Sequence, residues 1–309
     1  MNIQWYPGHM AKTRRMIEAD LRQVHGVCEI LDARIPRSSR NPDIDALTAG
    51  KPRLLVLNRA DQADPEATAR WSRYFQRRGL SVLETDSKSG RGIRRFPDAV
   101  RELLSDRIRA WTEKGQPGRV VRVMVLGIPN VGKSTFINRA AGRKSAKAED
   151  RPGVTRGKQW VTVDRGLELL DTPGILWPKL GDQETGLHLA FTGAVRDEVL
   201  DTETLACHLL NYLSRRYPEA VKTAFRLETL PEGGDNAVLS GFEVLKAAAV
   251  RRGCRISGGE PDTERMARLA LDEFRSGKLG RFTLEEPEAI QATTGEGKTG
   301  EAEHGPVDL

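Results

Sequence analysis

Short apolar runs alternate with helical patterns along the chain up to residue 180. The apolar runs predict strands at 27–31, 53–57, 81–84 and 120–126, and a strand hairpin over 160–170. Residues with a helical period lie between these runs and predict helices at 65–78, at 92–113 and from 133 onwards. Strands that alternate with helices predict an α/β fold with a mostly parallel sheet and helices on both of its faces.

Beyond residue 180 the apolar period becomes helical. It predicts longer helices at 201–216, 239–252 and 263–276, and shorter ones at 184–195 and 219–226. Asp201 is a suitable N-cap, and Gly253 and Gly277 are suitable helix stops. We therefore predict that a first domain at 1–180 is followed by a small all-helical domain at 181–282.

The charge of the chain is unevenly placed. Its formal net charge is +6, yet 283–309 contains seven acidic residues and one lysine, so the rest of the chain carries +12. With few apolar residues, 283–309 is predicted to be an acidic, disordered tail. The positive charge of residues 1–282 favours a polyanionic partner, although a solvated surface would also explain the charge. Helices that pack by one face leave arginines exposed on another, and we predict RNA-binding roles for Arg215, Arg216, Arg251 and Arg252.

Composition argues against several other classes of protein. No apolar run approaches the roughly 20 residues that a membrane-spanning helix needs, and we expect no membrane partner. The first residues show neither a signal nor a transit pattern, so a cytoplasmic location is expected. The three cysteines, Cys28, Cys207 and Cys254, are far apart, and their spacing implies neither a disulfide framework nor a zinc site. We expect a monomer.

A phosphate-binding loop is encoded at 127–134, with the sequence Gly-Ile-Pro-Asn-Val-Gly-Lys-Ser. A predicted strand precedes it and a predicted helix follows it, which is the context in which this pattern binds nucleotide phosphates. Lys133 would neutralise β- and γ-phosphate oxygens as part of catalysis, and the Ser134 hydroxyl would ligate Mg²⁺. The predicted phosphate-binding residues are Asn130, Val131, Gly132, Lys133, Ser134 and Thr135.

A switch motif, Asp171-Thr172-Pro173-Gly174, lies further along the chain. Asp171 is placed to hold Mg²⁺ through water, and the Gly174 amide to contact the γ-phosphate. Thr155 is the candidate for the catalytic threonine that closes on Mg²⁺. The alternative for Thr155 is an ordinary loop threonine.

The sequence Asn58-Arg59-Ala60-Asp61 is a base-reading motif. The Asp61 carboxylate can accept hydrogen bonds from N1–H and from the exocyclic amine of guanine, a pair that adenine does not offer. Asn58 would brace the loop, and the stem of Arg59, where lysine is more usual, can lie over the base. Ser87 and Lys88 would place a backbone amide at guanine O6.

These motifs occur in an unusual order, because the base-reading motif precedes the phosphate loop and the switch. A compact domain tolerates new chain ends when its old termini lie close together. The order therefore predicts a circularly permuted P-loop GTPase domain at 1–180, whose switch segment continues directly into the helical domain.

The residue after the switch motif is Ile175, at the position where Ras-like enzymes place a water-orienting glutamine. An aliphatic side chain cannot polarise water, so another group must do so or turnover will be slow. His9, which follows a Pro-Gly turn, is the candidate for this catalytic group. A histidine that only packs or caps is the alternative.

Two further segments, Trp5-Tyr6-Pro7-Gly8-His9-Met10 and Asp32-Ala33-Arg34-Ile35-Pro36, complete a resemblance. With the permuted motif order and the helical C-terminal domain, they resemble the ribosome biogenesis GTPase A family over residues 1–282. The resemblance implies GTP and GDP as ligands, and the large ribosomal subunit, its rRNA and its proteins as partners. It also implies that the subunit stimulates hydrolysis, that His9 takes part in it, and that K⁺ binds near Asn130.

Two hypotheses about function remain open on the sequence. The first is an assembly factor that binds the large-subunit particle in its GTP state and leaves after hydrolysis. The second is a GTP-gated rRNA or protein adaptor in which hydrolysis is incidental, as Ile175 would permit. Stimulation of turnover by large-subunit particles would distinguish the first hypothesis from the second.

Overall fold

The computed structural model shows a six-stranded sheet that carries helices on both faces and continues into a bundle of helices. It describes residues 10–142, 159–174, 176, 182–195, 201–231 and 236–288. The strands are β1 (Gly26–Asp32), β2 (Arg53–Asn58), β3 (Ser81–Glu84), β4 (Val121–Leu126), β5 (Gln159–Asp164) and β6 (Leu167–Asp171). Their order is β3-β2-β1-β4-β6-β5, and every pairing is parallel except that of β5 with β6.

The described helices occur in two parts of the chain, before and after residue 180. The first part contains α1 (Met10–Leu21), α2 (Asp43–Leu47), α3 (Pro65–Arg77), α4 (Phe96–Leu103), α5 (Ser105–Glu113) and α6 (Lys133–Ala140). The second contains α7 (Gln183–Phe191), α8 (Thr202–Arg216), α9 (Pro218–Phe225), α10 (Ala237–Arg251) and α11 (Thr263–Ser276). None of the helices in these described stretches has the length and apolar character that a membrane span requires.

Alternation along β2 explains why helices cover both faces of the sheet. Leu54 and Val56 belong to the same buried cluster as Phe96 of α4, whereas Leu55 and Leu57 belong to the cluster around α3. Successive side chains of a strand point to opposite faces, so α3 and α4 lie on opposite sides of the sheet. The predicted α/β class with helices on both faces is confirmed.

Topology brings the predicted motifs to one edge of the sheet. The base-reading motif follows β2, the phosphate loop follows β4, and the switch motif begins at the end of β6. Because β2, β1, β4 and β6 run parallel to one another, their carboxyl ends meet at the same edge, where α/β folds bind ligands.

The helix predicted over 92–113 is interrupted in the structure. A 3₁₀ turn at Ile93–Arg95 leads into α4, and Leu104, with φ −107° and ψ 16°, separates α4 from α5. Leu104 is buried in the core while the residues on both sides of it are more exposed. The chain changes direction at Leu104, which a helical period alone does not reveal. The apolar pattern did not predict α1 or α2.

Local capping chemistry explains the ends of the C-terminal helices. The Asp201 side chain accepts a hydrogen bond from the Glu203 amide at the start of α8, as predicted. Gly277 ends α11 with φ 79°, a left-handed conformation that favours glycine. Within the bundle, α8 packs against α9, α10, α11 and α7.

Gly241 allows α10 to lie directly on α8, since a methyl group at this position would be 1.8 Å from the backbone oxygen of Cys207. We expect Gly241→Ala to lower the free energy of unfolding by about 2 kcal/mol. Overpacking against backbone outweighs the roughly 1 kcal/mol by which alanine favours a helix over glycine. Thermal unfolding measures the effect, with Lys246→Ala on the exposed side of α10 as control. A melting temperature at or above that of the wild type would contradict this packing.

The C-terminal boundary differs from the prediction that 283–309 is a disordered tail. Residues 283–285 are buried, and the Leu284 amide donates to the Arg34 carbonyl. The indole of Trp71 donates to the Glu285 carbonyl. This segment lacks the apolar residues to fold alone, but it packs on a surface that the first domain has already formed. The prediction is therefore wrong for 283–288, and 289–309 lies outside the described residues.

Candidate nucleotide-binding site

The phosphate loop joins β4 to α6 in a conformation that requires its glycines. Gly127 and Gly132 have φ values of 151° and 90°. A Cβ atom at Gly127 would lie 2.6 Å from the Ile30 carbonyl, and one at Gly132 would lie 2.6 Å from Asn58 Nδ2. The loop therefore folds tightly against β1 and β2, and α6 begins at Lys133. An N-terminus of a helix at this place suits an anionic group, because its first amides have no partner within the helix.

Lys133 is buried, and its ammonium group lies inside the curve of the loop. Its Nζ donates to the carbonyls of Gly127 and Ile128 at 3.0 and 2.8 Å. Burial lowers the pKa of Lys133 to about 8, although the charge of Asp171 opposes this shift. An anionic phosphate beside Lys133 would favour its charged form.

Asp171 lies at the end of β6, opposite Val125 of β4. Its Oδ1 atom is buried and has no hydrogen-bond partner among the described residues. Burial raises its pKa to about 6, while Lys133 acts in the opposite direction. A buried carboxylate oxygen with no protein partner suits a cation such as Mg²⁺, so the residues present fit the predicted metal.

Gly174 lies against the phosphate loop. A Cβ atom there would be 2.9 Å from both Lys133 Nζ and the backbone nitrogen of Pro129. Only a residue without a side chain permits this approach. The described end of the switch motif therefore meets the phosphate loop, and the contact of the Gly174 amide with the γ-phosphate stays a prediction.

Asn58 connects the base-reading motif with both neighbouring loops. Its Nδ2 donates to the Val131 carbonyl in the phosphate loop at 2.7 Å. Its Oδ1 accepts from the Ser87 hydroxyl at 2.6 Å and from the Ser87 amide at 3.2 Å. One amide side chain thus fixes the distance between the loop that would hold phosphates and the loop that would contact guanine O6.

Asp61 presents a second carboxylate oxygen without a protein partner. Its Oδ1 is buried and forms no hydrogen bond within the part of the chain that the structure describes. Leaving such an atom unpaired costs free energy. A ligand that donates hydrogen bonds, as the N1–H and amine of guanine do, would remove this cost.

Arg59 makes contacts that its predicted role, with its stem over the base, does not include. Its backbone is left-handed, with φ 60°. Its guanidinium donates to the Asn130 carbonyl of the phosphate loop at 2.8 Å and to the Arg275 carbonyl at the end of α11 at 3.1 Å. Arg59 therefore joins the two nucleotide loops to the helical domain. The prediction treated Arg59 as a lysine substitute, and only the tertiary packing reveals this bridging contact.

A second arginine makes a similar contact beside Arg59. Arg34 is buried, pairs with Asp32 through two hydrogen bonds of 2.7 and 2.9 Å, and donates to the Phe274 carbonyl at 3.0 Å. Asp32 and Arg34 contributed to the family resemblance, but no role was predicted for them. Their presence next to the candidate site could have been inferred, because Asp32 ends β1, Arg34 follows it, and β1 lies between β2 and β4.

The predicted catalytic candidates and the predicted RNA-binding arginines form two further groups. His9, Thr155 and Ile175 lie outside the described residues. Of the arginines predicted to bind RNA, Arg216, Arg251 and Arg252 form ion pairs with Glu286, Glu228 and Glu273. Arg215 is exposed and has no acidic partner within 4 Å among the described side chains.

The fold and these loops define a class of protein. A phosphate loop, a switch aspartate and a base-reading motif meet at one edge of a doubly wound sheet, in a permuted chain order, as in a circularly permuted P-loop GTPase. The family described as "50S ribosome-binding GTPase" matches residues 122–228.

Comparison with whole proteins identifies the family. The chain is 44% identical to ribosome biogenesis GTPase A of Priestia megaterium over 93% of this chain and 98% of that protein. It is 35% identical to mitochondrial ribosome-associated GTPase 1 of Mus musculus, over 91% of this chain and 90% of that protein. A crystal structure of GNP-bound YlqF from T. maritima aligns with a TM-score of 0.61 and 28% identity, over 90% and 100% of the two chains. The chain belongs to the ribosome biogenesis GTPase A family.

Proposed function

We propose that the protein hydrolyses GTP in a cycle that loads it onto a late precursor of the large ribosomal subunit and then releases it. The observation that carries the proposal is the buried, unpartnered oxygen of Asp61, held beside a complete phosphate loop through Asn58. Family membership supports the assembly role. We further propose that it works as a monomer in the cytoplasm.

The geometry supports a separate role for each group of residues in the site. Asp61 would read guanine, Ser87 and Lys88 would place an amide at O6, and Asn58 would hold these loops in register. The phosphate-binding set comprises Asn130, Val131, Gly132, Lys133, Ser134, Thr135 and Gly174. Lys133 would exchange its two carbonyl contacts for phosphate oxygens, which supply a full negative charge.

Mg²⁺ would be held by Ser134 and Thr155 directly and by Asp171 through water, and it would neutralise charge on the β- and γ-phosphates. The unpartnered Asp171 oxygen supports this assignment. K⁺ near Asn130 would place a further positive charge by the phosphate loop. These roles rest on the chemistry of the donors.

We place the group that acts on the attacking water at His9, because Ile175 offers no polar atom. We expect His9→Ala to reduce subunit-stimulated turnover by about 10- to 10³-fold and to leave nucleotide affinity nearly unchanged. Single-turnover hydrolysis on large subunits measures the first effect, and titration with fluorescent GDP measures the second. Turnover of His9→Ala at the wild-type rate would show that His9 only packs or caps.

The contacts of Arg59 support a link between nucleotide state and the helical domain. The same guanidinium contacts Asn130 of the phosphate loop and Arg275 of α11, and Asn130 Nδ2 donates to the Gly193 carbonyl beyond α7 at 2.6 Å. A shift of the phosphate loop after hydrolysis would therefore move atoms that hold the helical domain. In this proposal the helical domain, with Arg215, Arg216, Arg251 and Arg252, presents one rRNA-binding surface.

Nucleotide-dependent docking tests the proposal. We expect the protein to bind purified large-subunit particles at least about tenfold more tightly with a non-hydrolysable GTP analogue than with GDP, the lower part of the usual allosteric range. Sedimentation with particles at several protein concentrations measures both affinities. Equal affinity with the two nucleotides would contradict the loading and release cycle. Nucleotide-dependent docking without stimulated turnover would favour the GTP-gated adaptor.

A further inference from the structure

A short turn next to the loop predicted to contact guanine O6 carries a cluster of basic residues. Residues 87–97 include four basic residues and no acidic residue. All four side chains are exposed, and they are Lys88, Arg91, Arg94 and Arg95. Arg139 on α6 is also exposed and adds a fifth cation to this turn, because its guanidinium donates to the carbonyls of Ser87 and Lys88. We call these five residues the basic turn.

The cations of the basic turn keep their charge available to a partner. None of the five forms an ion pair within 4 Å with an acidic residue in the described stretches. The nearest acid along the chain, Asp86, is buried, and its carboxylate accepts hydrogen bonds from the amides of Lys88 and Ser89. Asp98 on α4 pairs with Arg101. In the helical domain, by contrast, acidic residues already pair with Arg216, Arg251 and Arg252.

The backbone of the basic turn is held in place. Gly92 has φ 80°, and a Cβ atom there would lie 2.2 Å from the Glu84 carbonyl. Ile93 and Phe96 are buried, and Phe96 meets Phe136 of α6 edge to face at 5.0 Å. Cations on a fixed turn lose little backbone freedom when they bind, so their charges are preorganised for a partner.

We propose that the basic turn is an RNA-docking surface on the GTPase domain, where its arginines bind phosphates of the nucleic-acid backbone. Arginine presents forked donors that match phosphate oxygens, and unpaired cations release counterions from RNA when they bind it. The turn exposes no large apolar side chain that would enter a lipid bilayer or form the centre of a protein interface. The inference rests on the proposed function, because it assigns rRNA contacts to a second part of the molecule.

A matched pair of variants tests the surface without touching the nucleotide site. The test variant is Arg91→Ala/Arg94→Ala/Arg95→Ala, which leaves Lys88 and Arg139 in place. The control is Arg73→Ala/Arg77→Ala/Arg78→Ala, which removes three exposed charges from the α3 region on the opposite face of the sheet. Both variants remove three positive charges. An effect of net charge alone on rRNA binding would therefore be the same in both.

The probe is large-subunit rRNA freed of protein, bound by the full-length chain at a series of salt concentrations. We expect the test variant to bind about tenfold or more weakly, with a log–log salt slope shallower by about 2–3, whereas the control stays close to the wild type. An equal loss of rRNA affinity in both variants, or no loss of affinity in either, would overturn the proposal. A loss on intact particles but not on free rRNA would assign the surface to a ribosomal protein and also overturn it.

The same measurements separate this inference from the proposed function. If the wild type fails to bind large-subunit particles with either nucleotide, the assembly role itself is wrong. If the wild type binds them in a nucleotide-dependent manner and the test variant binds free rRNA as the wild type does, only the basic turn is misassigned. Titration of both variants with fluorescent GDP should give the wild-type affinity, because none of the six replaced side chains is placed in the nucleotide site.

Discussion

Replacing Asp61 by asparagine should move the protein from guanine to xanthine nucleotides. The buried carboxylate oxygen of Asp61 accepts no hydrogen bond from the described protein residues, and guanine offers two donors to it. An asparagine amide presents a donor where guanine also donates, whereas xanthine offers an oxygen at that position. Two hydrogen bonds to a charged group contribute roughly 1.5–3 kcal/mol each, so GDP affinity should fall by about 10²- to 10⁴-fold.

Competition titrations of fluorescent GDP with GDP, XDP and ADP measure this change of specificity. Asp98→Asn provides a control, since it makes the same chemical change at an exposed carboxylate on α4. The wild type should prefer GDP to ADP strongly. Equal affinity of the wild type for GDP and ADP, or unaltered GDP binding by Asp61→Asn, would remove Asp61 from the base-reading role.

Replacing Lys133 by alanine should abolish useful nucleotide binding. The Lys133 ammonium is buried inside the phosphate loop, where it bonds the carbonyls of Gly127 and Ile128. Its loss removes the positive charge that the phosphates would meet and leaves these two carbonyls without that donor. Loss of charge-assisted bonds to phosphate should weaken GDP binding by about 100-fold or more and reduce GTP turnover below detection.

Calorimetric titration with GDP measures the affinity, and circular dichroism checks that the variant stays folded. Lys246→Ala, which removes an exposed lysine from α10, serves as the control for loss of charge alone. GDP affinity of Lys133→Ala within about threefold of the wild type would mean that the loop does not bind phosphates as we describe.

The sequence predicted those features that short-range physics controls. The apolar runs located the six strands of the described residues, because apolar side chains recur in each of them. Asp201 and Gly277 marked helix ends because each satisfies a local backbone requirement. The phosphate loop was also predictable, since its glycines are needed wherever a backbone must approach a phosphate.

Contacts between distant parts of the chain were not predictable in this way. Arg59 reaches Arg275, which lies 216 residues further along the chain, and Glu285 packs beside Ser38 and His188. Composition suggested a disordered tail from residue 283 because the segment has little apolar surface of its own. Its buried position comes from the surface on which it packs, and no local pattern encodes that surface.

The basic turn shows that the availability of surface charge also depends on contacts between distant parts of the chain. The sequence drew attention to the arginines of the helical domain because they are numerous, but three of them pair with acidic residues from other elements. The cations at 88–95 are fewer, and they matter because the nearest acid along the chain turns inward. Whether a basic residue is available to RNA depends on neighbours that only the folded structure brings together.

Coupling of the GTPase cycle to the large ribosomal subunit can be measured as the rate of GTP hydrolysis with and without that subunit. The wild-type protein at fixed concentration is supplied with excess GTP, Mg²⁺ and K⁺, and phosphate release is followed alone, with large subunits and with small subunits. We predict slow phosphate release by the protein alone and with small subunits, and at least about tenfold faster release with large subunits. Supplying a missing catalytic group to a phosphoryl-transfer site can raise the rate by much more than this. A rate that large subunits leave unchanged would contradict the claim that this GTPase cycle is coupled to the large subunit.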